Sequence, residues 1–238
     1  MVGLDAVADR EGSASDMRPN AVTIMAKAPR AGEVKTRLSP PLSARDAAEL
    51  YRCFLLDKIE QVRTLTAASP AIAYTPPGGR GFFEGVAPDF LLVPQRGPDL
   101  GARLANSFEH LFTLGHAAVF AIDSDTPTLP TAFLEQALDL IATPGIDLVL
   151  GPSEDGGYYL IGLRALYREL FKDMPWSTAQ VVPETFRRAE GKGLKVAALP
   201  PWFDIDTPKD LKQLAASLAG PGGNAARHTR RFFMERTI

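Results

Sequence analysis

The chain contains little cysteine and histidine, no excess of charge and no long apolar run, and each absence excludes a class of protein. Its 238 residues include one cysteine, Cys53, and three histidines without ligand-like spacing, which excludes a disulfide framework and a cysteine-rich metal site. The formal net charge of -2 argues against nucleic acid as the main partner, because phosphate binding needs a basic face. No apolar run approaches the ~18 residues of a membrane span. These features predict a cytoplasmic protein that binds neither nucleic acid nor membrane.

The two ends of the chain differ in composition from the rest. Residues 1–20 are small, polar and aperiodic and lack the basic and apolar regions of a signal peptide, so they predict a disordered leader. Residues 220–238 contain four arginines, which predicts a basic, solvated C-terminal tail. Residues 21–219 between them predict a single domain.

Within that domain, short apolar runs alternate with amphipathic helices. Such alternation predicts an α/β fold, Rossmann-like, with a mainly parallel sheet and helices on both faces. Ligands of such sheets bind beyond the carboxyl ends of the strands. Strands are predicted at 21–26, 71–74, 90–93, 117–122, 146–150, 158–163 and 195–199. A first helix is predicted to start after a cap at Ser43, and further helices are predicted at 99–114, 130–141, 177–190 and 207–218. The helix at 130–141 has proline at its first position.

The loop after the first strand carries four cations: Lys27, Arg30, Lys35 and Arg37. Arginine grips phosphate oxygens bidentately, and lysine acts as a mobile point charge, so the loop is typical of a polyphosphate site. It lacks the Walker and Gly-x-Gly-x-x-Gly patterns. The alternative is a solvated basic loop.

A second candidate segment runs from Gln95 to Arg103. Gln95 is placed to recognise a base edge, Gly101 allows close approach of the backbone to a ligand, and Arg103 lies on the first turn of a helix, where it could face a phosphate. The alternative is a plain turn in which Asp99 caps the helix.

Carboxylates follow the strand that ends at Ile122. If the chain stays extended there, Asp123 and Asp125 share a face, because side chains alternate along a strand. Two carboxylates beside a phosphate loop suit Mg²⁺ or Mn²⁺. The alternative is a helix-capping turn, which explains one aspartate more easily than two.

Acidic residues also mark two later loops. Asp155, followed by Gly156 and Gly157, is placed to hold an acceptor hydroxyl or accept its proton, or the segment is a plain Asp-Gly turn. Trp176 offers an aromatic wall. Asp204 and Asp206 alternate before a helix start at Thr207-Pro208, and one of them is a candidate to complete the metal site.

Taken together, these motifs resemble the nucleotide-diphospho-sugar transferase superfamily. The similarity is strongest to the glycosyltransferase-like, radical-SAM/selenodomain-associated transferases, which are linked in some bacteria to arsenosugar biosynthesis. Lys35–Leu38 also resembles the loop of the neighbouring phospholactate guanylyltransferase family. The segments that carry the resemblance span residues 21–218 and are Ala26–Leu38, Asp123–Pro127, Gly151–Gly162 and Asp204–Pro208.

The resemblance implies a GT-A-type domain with a nucleotide on its N-terminal half and an acceptor on its C-terminal half. Lys27, Lys35 and Arg37 match the phosphate-binding loop, and Asp125 matches the metal-binding aspartate. The family commonly has glycine where this chain has Asp123, so the role of Asp123 stays open. A homodimer is considered only by analogy with related folds.

Three functions compete. The first is a metal-dependent glycosyltransferase-like enzyme that moves a sugar from an NDP-sugar to a small-molecule acceptor, with Lys35, Asp125 and Asp155 as catalytic residues. The second is a nucleotidyltransferase that joins an NTP to a phosphorylated small molecule and releases pyrophosphate, since both reactions develop negative charge on a metal-bound diphosphate. The third is a nucleotide-binding module without catalysis.

Overall fold

A computed structural model describes residues 19–220 and 226–236 of the chain. The predicted leader lies outside the described residues as far as residue 18. None of the described helices is long and apolar enough to cross a membrane. The described strands are β1 (Asn20–Lys27), β2 (Ala68–Thr75), β3 (Leu91–Pro94), β4 (Val119–Ile122), β5 (Leu148–Pro152), β6 (Tyr158–Leu163) and β7 (Val196–Ala198), and the helices are α1 (Ala44–Arg63), α2 (Arg80–Val86), α3 (Leu100–Thr113), α4 (Thr131–Ala142), α5 (Val181–Gly191), α6 (Pro208–Ala219) and α7 (Arg227–Glu235).

The strands form one sheet in the order β3-β2-β1-β4-β6-β5-β7. All neighbours pair in parallel except β6, which is antiparallel to both β4 and β5. Residues of β1 alternate between two cores: Val22 and Ile24 pack with α1 on one face, whereas Ala21 packs with α3 on the other. The mainly parallel sheet with helices on both faces confirms the predicted fold. The loops after β1, β2 and β4 and the loop before β6 therefore meet at one edge.

Local signals set most helix boundaries, with two exceptions. Ser43 caps α1 by accepting the Asp46 N–H at 3.0 Å, and Thr207 forms a capping box with Asp210 in front of α6, as predicted. Pro130 is the extended residue before α4 rather than its first residue. α5 begins at Val181, later than predicted, because the left-handed backbone of Ser177 (φ 62°) cannot lie within a right-handed helix. α2 was not predicted: its seven residues are too few to show a helical period.

The C-terminal segment differs from the predicted solvated tail. Residues 227–235 form α7, whose Thr229 and Phe232 are buried. Asp57 of α1 accepts hydrogen bonds from the backbone N–H groups of His228 and Thr229, both at 2.9 Å, and from the Thr229 hydroxyl at 2.6 Å. α7 is therefore docked on α1 by its buried face, and of its arginines Arg231 is exposed whereas Arg227 bonds Glu60 of α1.

Candidate active site

The loop after β1 brings Lys35 into contact with carboxylates from two other loops. Lys35 Nζ lies 3.0 Å from Asp125 Oδ1 and 2.7 Å from Asp206 Oδ1, and its side chain is only 5% exposed. Burial by itself lowers the pKa of Lys35, but the two carboxylates more than offset this effect and raise the pKa above its ordinary value. The bridging group is therefore a charged ammonium.

Sheet topology explains why these residues meet. β1 and β4 are parallel neighbours with Ile24 opposite Ile122, so the loops that follow them leave the sheet side by side. The segment before α6 joins them through the Ile205 N–H, which donates to the Asp125 carbonyl at 3.1 Å. Lys35 has a left-handed backbone (φ 47°) at the start of a short 3₁₀ turn. Residues far apart in sequence thus reach one point.

The other cations of the first loop have different surroundings. Lys27 Nζ donates to the Glu33 carbonyl at 2.7 Å. Arg37 is largely exposed and lies 3.7 Å from Asp206 Oδ2, whereas Arg30 donates to the Gly78 carbonyl at 3.4 Å. Three of the four predicted phosphate ligands line a cavity of about 290 Å³ with the two aspartates; its lining includes Lys27, Lys35, Thr36, Arg37, Tyr51, Asp125 and Asp206.

Tyr51 of α1 is a part of this cavity that the sequence did not reveal. Its hydroxyl accepts the Lys27 N–H at 3.1 Å and shares a hydrogen bond of 2.8 Å with Ser124 Oγ. Burial raises the pKa of Tyr51 well above its ordinary value, so the phenol stays protonated. Tyr51 ties the loops after β1 and β4 to one helix, although its sequence position indicates only a core residue.

Asp123 and Asp125 have different partners. The Asp123 Oδ1 atom accepts the Thr126 hydroxyl at 2.7 Å and lies 3.9 Å from Nζ of Lys58, whereas Asp125 contacts Lys35. The expectation that they share a face required an extended chain, but β4 ends at Ile122 and the following residues turn. Burial raises the pKa of Asp123 and lowers that of Lys58.

Lys58 is the second residue that sequence reasoning missed. Its side chain is 1% exposed, and its Nζ donates to Gln61 Oε1 at 3.3 Å. It stands four residues after Phe54 and four before Val62 on the buried stripe of α1. A lysine at an apolar position of a helical stripe is the signal that could have identified it.

In the segment after β3, several residues that were predicted to bind the nucleotide make contacts within the fold. Gln95 Nε2 donates to the carbonyls of Ala73 at 2.7 Å and Ala26 at 3.3 Å, at the ends of β2 and β1. Arg103 Nε donates to the Gly97 carbonyl at 3.2 Å. A side chain at Gly101 would overlap the Phe171 carbonyl, so packing alone requires glycine there. The nucleotide-binding roles of Gln95, Gly101 and Arg103 stay predictions.

In the same segment, the capping alternative for Asp99 is confirmed. Its carboxylate accepts the Ala102 N–H at 2.7 Å, at the start of α3.

The loop before β6 presents Asp155 at the same edge of the sheet. Asp155 is exposed, and its Oδ1 accepts the Gly157 N–H at 2.9 Å. Gly156 has φ +93° and packs so closely on Ala179 that a Cβ would overlap it. Trp176 lies edge-on to Tyr158 with ring centroids 6.2 Å apart. The loop is held rigidly, and the predicted acceptor residues lie on it and beside it.

Asp204 joins this loop to the cavity. The Glu154 N–H donates to the Trp202 carbonyl at 2.9 Å, which holds the segment before α6 against the loop before β6. Burial first, then the carboxylates of Asp155, Asp206 and Asp125, raise the pKa of Asp204 to about 6. Carboxylates thus accumulate on the C-terminal half of the site, whereas the cations of the first loop lie on the N-terminal half.

A divalent cation is compatible with two of the three predicted metal ligands. Asp125 Oδ1 and Asp206 Oδ1 already converge on a single positive charge, the ammonium of Lys35. Asp125 Oδ1 is buried, and the neighbour given for it is the ammonium of Lys35 at 3.0 Å. Carboxylate oxygens are the donors that Mg²⁺ and Mn²⁺ prefer. Asp125 and Asp206 therefore fit such an ion, while the described contacts of Asp123 are with Thr126 and Lys58.

Asp57, Glu60 and His228 form a separate cluster with metal-ligand chemistry. Asp57 accepts three hydrogen bonds from the start of α7. Glu60 Oε1 contacts His228 Nε2 at 2.9 Å and also bonds Arg227. These atoms are engaged in docking α7 on α1, which accounts for the cluster.

Comparisons with known proteins agree with this architecture. A family model described as "Uncharacterized protein conserved in bacteria (DUF2064)" matches residues 58–178. No protein with curated annotation matches the sequence. Among solved structures, a proposed nucleotide-diphospho-sugar transferase from Desulfovibrio desulfuricans is 30% identical, with a TM-score of 0.79 over 92% of this chain and 98% of that one.

Two more distant structures share the fold. A cytidylyltransferase from Leptospira borgpetersenii is 14% identical, with a TM-score of 0.59 over 92% of this chain and 98% of that one. Glucosyl-3-phosphoglycerate synthase from Mycobacterium tuberculosis, in complex with Mn²⁺, UDP and glucosyl-3-phosphoglycerate, is 15% identical, with a TM-score of 0.50 over 90% and 80%. At such identities the likeness shows the fold alone.

Proposed function

The chain belongs to the DUF2064 family, and we propose that it is a metal-dependent transferase. It would move a sugar from a nucleoside-diphosphate sugar to a hydroxyl of a small molecule. The observation that carries the proposal is the contact of Lys35 with Asp125 and Asp206, at 3.0 Å and 2.7 Å. It joins the cationic loop after β1 to Asp125, in the loop after the adjacent parallel strand β4, and to Asp206, in the segment before α6. The carboxyl ends of parallel strands are where α/β sheets bind their ligands. The likeness to a proposed nucleotide-diphospho-sugar transferase supports it.

The donor would lie against the N-terminal half of the site. Lys27, Lys35 and Arg37 line the cavity beside the first loop and would hold the two phosphates, with Arg30 at its margin. Gln95 and Gly101, after β3 and at the start of α3, would contact the nucleoside, and Arg103 would face a phosphate. Positive groups placed where negative charge develops are a large electrostatic contribution to such reactions.

Metal and acceptor would lie on the other half. Asp125 and Asp206 would hold Mg²⁺ or Mn²⁺, which when bound neutralises charge on the departing diphosphate. Asp155 would position the acceptor hydroxyl and accept its proton. Gly156 and Gly157 would allow the acceptor to approach the backbone closely, and Trp176 would form an aromatic wall of the acceptor site.

Charge on the acceptor half supports sugar transfer over nucleotidyl transfer in this proposal. A nucleotidyltransferase of the competing class must bring an acceptor phosphate to the site. Asp204, however, lies near the carboxylates of Asp155, Asp206 and Asp125, and burial first, then these carboxylates, raise its pKa. A phosphate there would be repelled, whereas an acceptor hydroxyl would be bound. The cations of the first loop suit either a diphosphate or a triphosphate, so our preference for sugar transfer rests on the acceptor half.

Thermal unfolding with a panel of NTPs and NDP-sugars, each with and without Mn²⁺ or Mg²⁺, tests the proposal. A ligand that binds only the native state raises stability by ~2.7 kcal/mol at 100 times its dissociation constant. We expect one NDP-sugar to stabilise the protein only with metal and to be consumed with release of a nucleoside diphosphate. Preference for an NTP, with release of pyrophosphate, would establish nucleotidyl transfer instead.

Matched variants separate the site from general charge effects. Arg37→Ala removes a cation of the cavity, and Arg80→Ala removes another exposed arginine (55% exposed, against 70% for Arg37) that pairs with Glu84 on α2. We expect only Arg37→Ala to reduce the nucleotide-dependent shift. Asp125→Ala should abolish its metal dependence; unchanged ligand affinity and metal dependence would favour a binding module without catalysis.

A further inference from the structure

We propose that Lys35 is an internal counter-ion of the metal site: its ammonium occupies the carboxylates of Asp125 and Asp206 when no nucleotide is bound and excludes a divalent ion from them. The inference rests on the proposed function, because it concerns how the same site is loaded. It predicts that metal enters with the nucleotide, whose phosphates attract the ammonium away from the two aspartates.

The contacts of Lys35 carry the first step of the argument. Its Nζ is within 3.0 Å of the same two oxygens, Asp125 Oδ1 and Asp206 Oδ1, that converge as metal ligands. An ammonium at that distance from both oxygens fills the position between them. A divalent ion bound to the same atoms would lie within a few ångströms of the ammonium, and like charges that close repel each other. Ammonium and metal ion therefore compete for one position.

Charge balance carries the second step. The two carboxylates contribute two negative charges, and Lys35 with the nearby Arg37 already contributes two positive ones. A divalent ion added alone would leave these four groups with an excess of positive charge, which the neighbouring carboxylate of Asp204 would offset only in part. A diphosphate brings negative charge with it, so the ion and the phosphates together can be accommodated.

The freedom of the side chain carries the third step. Lysine has a flexible four-carbon stem, and its ammonium can change partners without a change in the backbone. Lys35 lines the cavity of about 290 Å³ beside the two aspartates, so a phosphate bound there is within reach of the same ammonium. Lys27, in the same cavity, donates instead to a backbone carbonyl and occupies neither carboxylate. Of the two lysines that line the cavity, only Lys35 therefore competes with a metal ion for the two carboxylates.

The test measures the affinity of the full-length protein for Mn²⁺ alone, by electron paramagnetic resonance of free Mn²⁺, without any nucleotide. We expect Lys35→Met to bind Mn²⁺ at least tenfold more tightly than the unchanged protein, and Lys27→Met to bind it as the unchanged protein does. Adding Asp125→Asn to Lys35→Met should remove the gain, which locates the ion. Should Lys35→Met fail to fold, Lys35→Gln makes the same comparison.

Equal or weaker Mn²⁺ binding by Lys35→Met, including no measurable binding by either protein, would overturn the inference. A similar gain in Lys27→Met would also overturn it, because the effect would then be a general loss of positive charge. Failure of the proposed function has a different signature: no nucleotide would stabilise the protein, whatever its Mn²⁺ affinity. A tenfold gain without nucleotide binding would thus support the internal counter-ion and refute the transferase.

Discussion

Two buried lysines face two aspartates at the end of β4, and their surroundings differ. Lys35 Nζ has two carboxylates within 3.0 Å, and its pKa is raised. Lys58 Nζ has one carboxylate at 3.9 Å and a neutral amide at 3.3 Å, and burial lowers its pKa. The number and closeness of partners thus decide whether a buried lysine gains or loses affinity for its proton.

The two groupings also differ in access. The aspartates that contact Lys35 are 34% and 40% exposed, so a ligand can reach them. Lys58 is 1% exposed, and its partner Asp123 is 21% exposed. The same residue types therefore serve an open site in one case and a closed structural contact in the other, and the following substitutions test that distinction.

Lys58→Met should have the largest effect on stability. It keeps the length of the side chain but leaves Asp123 without a nearby ammonium in a buried position. Breaking a tight buried pair costs ~3–5 kcal/mol. Because this pair is 3.9 Å apart, we expect the free energy of unfolding at pH 8 to fall by about 2 kcal/mol. Urea unfolding followed by circular dichroism measures it.

The double variant Lys58→Met with Asp123→Asn is the control for charge. Neutralising both partners leaves no unpaired buried charge, so most of the lost stability should return. If the double variant is as unstable as Lys58→Met, packing rather than charge explains the loss. Lys35→Met should cost less stability than Lys58→Met, because its carboxylates can be hydrated.

Asp57 is a buried carboxylate whose negative charge is compensated by hydrogen bonds and not by a nearby lysine. Asp57→Ala removes all three bonds to the start of α7, and loss of a helix cap costs ~0.5–2 kcal/mol. We expect a stability loss of about 1.5 kcal/mol, release of α7 from α1 and faster trypsin cleavage after Arg230 and Arg231. Mass spectrometry of timed digests measures the cleavage.

Ser43→Ala, which removes a cap at the other end of α1, is the control for Asp57→Ala. It should destabilise the protein without exposing α7. If α7 stays protected from trypsin in Asp57→Ala, the packing of Phe232 and its apolar neighbours holds this helix on α1 without the cap.

The sequence predicted the elements whose signals are local. The helical period of α1, the caps at Ser43 and Thr207 and the apolar strands depend on nearby residues, and the structure has them within a few positions. α7 was hidden because its arginines dominate the composition, while only Thr229 and Phe232 mark its buried face. Its burial depends on Asp57, 172 residues away from Thr229, which no local pattern can reveal.

The candidate site likewise combines features that the local sequence predicts with features that it does not. The cations of the first loop and the aspartates after β4 could be recognised as chemistry at strand ends. That Asp125 faces Lys35 while Asp123 faces Lys58 could not be predicted, because it depends on where β4 ends and on a helix packed behind it. Tyr51 was predicted only as a member of the apolar stripe of α1, since a helical period ignores the polar end of a long side chain, and Lys58 was not predicted at all.

The smallest expected effect concerns Asp204, a carboxylate without any cation among the groups that shift its pKa. Burial and the neighbouring carboxylates raise this pKa from an ordinary 3.8 to about 6. Between these values the native protein keeps a proton that the unfolded chain has lost, so this contribution to stability disappears as pH rises through 6. Asp204→Asn should therefore be more stable at pH 7 by about 1 kcal/mol, a figure reduced for solvent screening of a partly exposed group.

Urea unfolding of both proteins at intervals from pH 4.5 to 7.5 measures this difference. The gap between Asp204→Asn and the unchanged protein should widen from pH 4.5 to about pH 6.5 and then remain constant, because the native carboxyl group is by then ionised. Parallel curves would mean that a cation, such as an exposed lysine on α6, already neutralises Asp204. In that case an acceptor phosphate would no longer be repelled, and the main argument against nucleotidyl transfer would be lost.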